Sequence, residues 1–221
     1  MLVVVGGHTR NIGKTSVVAG LIRALPELQW TAVKITQYGH GVCSREGEPC
    51  ECAVQDPEHP YAVSEERDRT SGTDSSRFLA AGAKRAYWVR TAAGQLGHAL
   101  PELRRIFKIS THTIVESNSI LQFLRPDLYL AVMDFAASDF KQTSLTYLDR
   151  ADAVVVIGRG AERAPWSQVA SKLWDSKLRF CVQPPQYVTE AMAAFVRGRA
   201  NSSTASTRGA TDAASEIAER S

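Results

Sequence analysis

No apolar run in this 221-residue sequence is long enough to cross a bilayer, which needs roughly 20 consecutive apolar residues. The first β-branched run begins directly at Leu2 and leaves no room for a signal peptide, so a cytoplasmic protein is expected. Lys and Arg are scattered rather than grouped with aromatics, and the formal net charge is only +3. Neither nucleic acid nor a membrane surface is therefore expected as a partner. Four cysteines are too few for a disulfide scaffold, and three of them fall close together. In a reducing compartment they read as free thiols or metal ligands. Large apolar residues are almost missing beyond Gly198, so residues 198–221 are expected to form a disordered tail. One domain over residues 1–197 remains, with no space for a large second one.

What is present is concentrated at the start of the chain. Leu2 to Ser16 reads LVVVGGHTRNIGKTS, a short β-branched run, a glycine-flanked loop and then Gly13-Lys14-Thr15-Ser16. Val17, Val18, Leu21, Ile22 and Leu25 follow at helical spacing until Pro26 stops the helix. Strand, loop and helix in this order form a phosphate-binding loop. Glycines let backbone N–H groups curl around a phosphate, and the helix behind them presents unpaired donors and a positive dipole end. The contacting stretch is Gly7, His8, Thr9, Arg10, Asn11, Ile12, Gly13, Lys14, Thr15 and Ser16. Lys14 supplies charge to the β- and γ-phosphates, and Thr15 places its hydroxyl on a Mg²⁺ ion. Read strictly, the GxxxxGK[ST] pattern fails, because its first glycine position falls on His8. The loop is a variant with spacing Gly7-x5-Gly13-Lys14-Thr15.

Further along, Trp30 to Thr36 reads as a second strand that carries a charged residue, Lys34, among apolar neighbours. Lys34 is either functional or an edge-strand lysine snorkelling to water. Residues 37–63 are polar and aperiodic, and such a long irregular stretch is usually functional or disordered. It contains His40, Cys43, Cys50 and Cys52, whose donors could hold Zn²⁺ or another soft metal; free loop thiols are the alternative. Thr73 or Ser71 caps a short helix with Asp74 in its first turn, ending near Gly82. Ala86–Val89 reads as a strand, and residues 93–107 as a helix that Pro101 could kink. Thr113–Ser117 is a strand ending in Glu116, the place where ligands of a doubly wound sheet gather. Leu128–Met133, Ala153–Ile157 and Leu178–Val182 complete the strands, with helices expected over Pro165–Trp174 and Tyr187–Val196. Near-continuous apolar strands separated by helices predict a three-layer α/β domain around a mostly parallel, doubly wound sheet, the P-loop NTPase arrangement.

These stretches together resemble the molybdopterin-guanine dinucleotide biosynthesis adaptors, the "protein B" GTP-binding family, within the signal-recognition, MinD and BioD class of P-loop NTPases. The resemblance rests on Gly7 to Ser16, Val33-Lys34, Asp74 to Ala83 and Val115-Glu116-Ser117. It covers about the first two thirds of the chain. Ser117 stands where the family has glycine, Lys34-Ile35 replaces a Lys-His pair, and no N/T-K-x-D guanine-reading motif occurs near Asp152 to Gly160. GTP and ATP therefore both stay open. The resemblance implies Mg²⁺-dependent binding and slow hydrolysis of a nucleoside triphosphate, with Lys14 and Thr15 at the phosphates. Asp74 or Glu116 then holds the metal's water shell or orients the attacking water. It also implies an adaptor working with a protein of molybdenum-cofactor or metallocentre assembly, and relatives of this class often act as homodimers. One alternative is a ligase like dethiobiotin synthetase, in which Lys34 stabilises an acyl-phosphate formed on a small carboxylate. The other is a metal-binding module in which nucleotide controls the His40, Cys43, Cys50 and Cys52 segment.

Overall fold

The structure, a computed structural model, describes residues 1–38, 60–158 and 163–202. His40, Cys43, Cys50 and Cys52 lie outside the described residues, as does the expected tail beyond residue 202.

Eight strands form one sheet: β1 (Leu2–Gly7), β2 (Thr31–Tyr38), β3 (Tyr61–Glu65), β4 (Arg85–Ala92), β5 (Thr113–Glu116), β6 (Leu128–Asp134), β7 (Ala153–Ile157) and β8 (Leu178–Val182). Their order is β3-β4-β2-β5-β1-β6-β7-β8. All neighbours run parallel except β3, which pairs antiparallel with β4 at one edge. The helices are α1 (Lys14–Ala24), α2 (Asp74–Ala80), α3 (Leu100–Lys108), α4 (Gln142–Tyr147) and α5 (190–202). No helix among the described residues is long and apolar enough to cross a membrane.

Both faces of the sheet are buried, which is why the strands read as continuous apolar runs. Val3, Val5, Ala32 and Ile114 share one core with Val18, Leu21 and Ile22 of α1. Val4, Val33, Val115 and Met133 share the other with Leu103 and Ile106 of α3. Successive strand side chains point to opposite faces, so each strand except the edge strands β3 and β8 feeds both cores. The result is the expected three-layer α/β domain.

Four expectations change. Gln37 and Tyr38 extend β2, and Tyr61–Val63 belong to β3, so the stretch read as irregular contributes to the sheet at both ends. The expected helix over residues 93–107 is a 3₁₀ turn (Leu96–Ala99) followed by α3; Pro101 sits in the first turn, where its missing N–H costs nothing, and starts the helix rather than kinking it. Pro165–Trp174 is not a helix, apart from a 3₁₀ turn at Ser171–Leu173. Trp166, Val169 and Trp174 are instead buried one by one from a loop, and the Trp166 indole donates to the Ala137 carbonyl at 2.9 Å. The last helix starts later than Tyr187, where the Thr189 hydroxyl accepts from the Met192 N–H at 3.2 Å as a cap does. It runs past Gly198 because Ala200 is buried in the first core.

β1 lies at the centre, between β5 and β6, and the chain leaves it for β2 on one side and later β6 on the other. The C-terminal ends of β1, β2, β5 and β6 therefore open at the point where the winding changes direction, the usual ligand position in such sheets.

Candidate functional site

At that point β1 passes into the glycine loop. Both polar groups of the Gly7 peptide are taken by side chains: its N–H donates to Asn118 Oδ1 at 2.9 Å, and its carbonyl accepts from Asn118 Nδ2 and Ser144 Oγ, each at 2.7 Å. The loop then turns through two left-handed residues, Asn11 (φ 56°) and Gly13 (φ 94°), and Gly13 caps α1 without a side-chain bond. Its amide donors thus face the loop interior rather than a capping residue. Gly13 is constrained twice, since a Cβ there would come within 2.6 Å of the Tyr187 ring. Gly13→Ala should destabilise the fold by about 1–2 kcal/mol from the left-handed backbone alone, with the ring contact adding to that. Urea unfolding of Gly13→Ala beside Gly13→Ala/Tyr187→Ala separates the two shares; equal midpoints for these variants would remove the ring contact from the account.

His8, the departure from the glycine pattern, is 2 % exposed. Its Nε2 accepts from the Asp134 N–H at 3.1 Å, which leaves the proton on Nδ1 to be donated to the Asp139 carbonyl at 2.9 Å. The ring sits between Phe140 and Trp166, with centroids 5.2 and 4.5 Å away. The Thr9 hydroxyl also donates to Asp139, and the Lys141 N–H donates to the His8 carbonyl at 2.9 Å. His8 thus ties the glycine loop to the segment after β6, work that a glycine cannot do. Burial lowers the His8 pKa from 6.5, and Asp139 opposes this only in part. The unfolded chain then binds the proton first, so the stabilising contribution is complete above pH 6.5 and is lost as pH falls through the lowered value. A His8→Gln variant should flatten that acid limb, read from thermal midpoints between pH 4 and 7; an unaltered limb would assign it to other groups.

Lys14 reaches across the loop and donates to the Thr9 carbonyl. Burial pulls its pKa down to about 8, a shift that Glu116 opposes and Lys34 and Lys141 reinforce. An ammonium held this way is short of an anion.

Next to it lies an ionic cluster. Lys34 Nζ stands 2.6 Å from Asp74 Oδ2 and 2.6 Å from Glu116 Oε1. The other Glu116 oxygen accepts from the Thr15 hydroxyl at 2.8 Å. Glu116 is 3 % exposed, whereas the Asp74 side chain is 33 % exposed and open to solvent. β2 is an interior strand, so Lys34 is not a snorkelling edge lysine, and Glu116 is not a solvated loop residue. Asp74 is delivered by the first turn of α2, which Thr73 caps by accepting from the Ser76 N–H at 3.1 Å. Glu66 braces that cap by accepting from the Thr73 and Ser75 hydroxyls, each at 2.9 Å. Arg77, one turn along, lies 3.7 Å from Asp74 and donates to Ser16 Oγ at 3.0 Å.

Thr15 and Asp74 both stand beside Glu116, Thr15 through its hydroxyl and Asp74 through the shared Lys34 ammonium, and hard oxygen donors of this kind suit Mg²⁺. No cluster of three or more His, Cys, Asp or Glu that could cage a metal occurs among the described residues. Beside the loop, a cavity of about 330 Å³ is lined by Ser16, Gly20, Arg23, Arg77, Pro185 and Tyr187. It offers an aromatic ring and two guanidinium groups.

Sequence reasoning singled out Lys14, Thr15, Lys34, Asp74 and Glu116, and the fold brings all five together. It missed Asn118, Ser144, Asp139, Arg77 and Tyr187, which carry no local pattern. Arg77 alone had a signal, its i,i+3 spacing from Asp74 on a helix.

No family model matches the chain, and no curated protein matches it. Among solved structures it is similar to HypB from Helicobacter pylori in complex with nickel, with TM-score 0.51 and 14% identity over 91% of this chain and 87% of that one. It is also similar to the "apo" form of LpxK from Aquifex aeolicus in complex with ATP, with TM-score 0.46 and 15% identity over 81% of this chain. The match spans 53% of LpxK, about half its length. At these identities the likeness concerns the fold, which is that of the P-loop NTPases.

Proposed function

We propose that this protein binds a nucleoside triphosphate with Mg²⁺ and hydrolyses it slowly, as an adaptor in metallocentre or molybdenum-cofactor assembly. The observation that carries the reading is the convergence of Lys14, Thr15, Asp74 and Glu116 on the mouth of one glycine loop. Amides of the loop and the Lys14 ammonium surround the phosphates. Thr15, with Asp74 and Glu116 behind it, holds Mg²⁺, which when bound neutralises charge on the β- and γ-oxygens. The cavity beside Tyr187 takes the nucleoside, its ring offering a stacking face and Arg23 and Arg77 lying along the ribose and phosphate side.

The segment with His40, Cys43, Cys50 and Cys52 supplies soft donors for a cargo metal. HypB, a protein of the same fold, was solved with nickel. Calorimetric titration with ATP and GTP analogues, with and without Mg²⁺, tests the reading and identifies the base. Micromolar binding of one triphosphate that needs Mg²⁺ supports it, and no binding of either overturns it.

A further inference from the structure

Two carboxylates and one ammonium share the floor of the site. Lys34 Nζ is 2.6 Å from an oxygen of each carboxylate, and Glu116 also accepts from the Thr15 hydroxyl. The ammonium therefore stands on the oxygens that a divalent cation needs. It cannot stay there when the cation arrives, because two positive centres would be in contact in a site where Glu116 is almost fully buried.

We infer that Lys34 is a movable counter-ion: it holds the cation site closed until a terminal phosphate draws its ammonium away, so that cation and triphosphate bind as a pair. This rests on the nucleotide reading above. The charge count supports it. Asp74, Glu116 and Lys34 sum to one negative charge, and adding a divalent cation without moving the ammonium leaves a positive excess. The excess is removed only by a new anion within reach of the Lys34 side chain. Its backbone is fixed, since Lys34 pairs with Glu116 and Trp88 in the middle of the sheet, and only the side chain can swing. Lys14 feels its repulsion, so the two ammonium groups lie near one another. A phosphate between them satisfies both. Asp74, one third exposed, gives the hydrated cation its way in.

Mn²⁺ binding to the full chain without nucleotide, followed by electron paramagnetic resonance, tests the role in the direction opposite to that of a structural strut. Lys34→Met should bind Mn²⁺ at least tenfold more tightly than the wild type, because the competing ammonium is gone. Unchanged or weaker binding overturns the inference. Should the variant not fold, wild-type crystals grown with Mn²⁺ and a non-hydrolysable triphosphate give the answer. An anomalous peak between Asp74 and Glu116 with Lys34 Nζ displaced supports the role; a peak with Nζ still bridging both carboxylates overturns it. Triphosphate titration of the same wild-type sample keeps the two readings apart. Triphosphate binding without the gain in Lys34→Met removes only the counter-ion role, whereas absent triphosphate binding removes the nucleotide reading on which it stands.

Discussion

Replacing Lys14 with alanine is expected to weaken Mg²⁺-triphosphate binding about a hundredfold, equivalent to roughly 3 kcal/mol for charge-assisted contacts to phosphate. Folding should be spared. Lys14 is half-buried, its ammonium donates to the Thr9 carbonyl, and burial depresses its pKa to about 8, so a phosphate would add the charge partner that this environment favours. Because the folded value lies below the ordinary 10.5, the unfolded chain binds more protons between about pH 8 and 10.5. Stability of the free wild-type protein should therefore rise with pH across that window, and Lys14→Ala should lose this rise. Phosphate binding has the opposite demand. It needs the ammonium charged, so triphosphate affinity should be level below pH 8 and fall above it, with proton uptake that calorimetry in two buffers can count. Unaltered affinity in Lys14→Ala would reject phosphate binding at this loop.

Glu116→Ala is the largest expected loss of stability, about 3 kcal/mol, or roughly 1.5 M in the urea midpoint for a slope near 2 kcal/mol/M. Glu116 joins β5 to both β2, through Lys34, and the start of α1, through Thr15. Removing it leaves the Lys34 ammonium with the half-open Asp74 alone, and an uncompensated buried charge costs more than the pair gains. Glu116→Gln should recover part of the loss, since the amide oxygen can still accept from Thr15. Chemical denaturation of both variants checks this. A loss below 1 kcal/mol in the alanine variant would mean that Lys34 simply turns out to solvent.

The glycine loop was legible because its physics is local. A β-branched run, permissive glycines and Lys14-Thr15 before helically spaced valines leave one reading, and Gly13 does stand in the left-handed region that the turn needs. Glu116 was legible for a related reason, an acid at the end of a wholly apolar strand. Pro165–Trp174 was misread because Trp166, Val169 and Trp174 have helical spacing but are buried separately from a loop, and spacing alone does not distinguish the two. His8 was read as a departure from the glycine pattern, within a variant loop. Its partners, Asp134, Asp139, Phe140 and Trp166, come from more than a hundred residues away, so their contact with it has no local signature.

By itself, then, the sequence determined most of the strands and helices, the parallel buried sheet and the glycine turn ahead of α1, because periodicity and backbone freedom act between near neighbours. Only the tertiary structure decided that β5 inserts between β1 and β2. That insertion sets Glu116 beside Lys34 and, with α2 capped by Thr73, brings Asp74 to the same ammonium. Strand order depends on how two cores are filled from both faces at once, a long-range packing condition that no single stretch of sequence records.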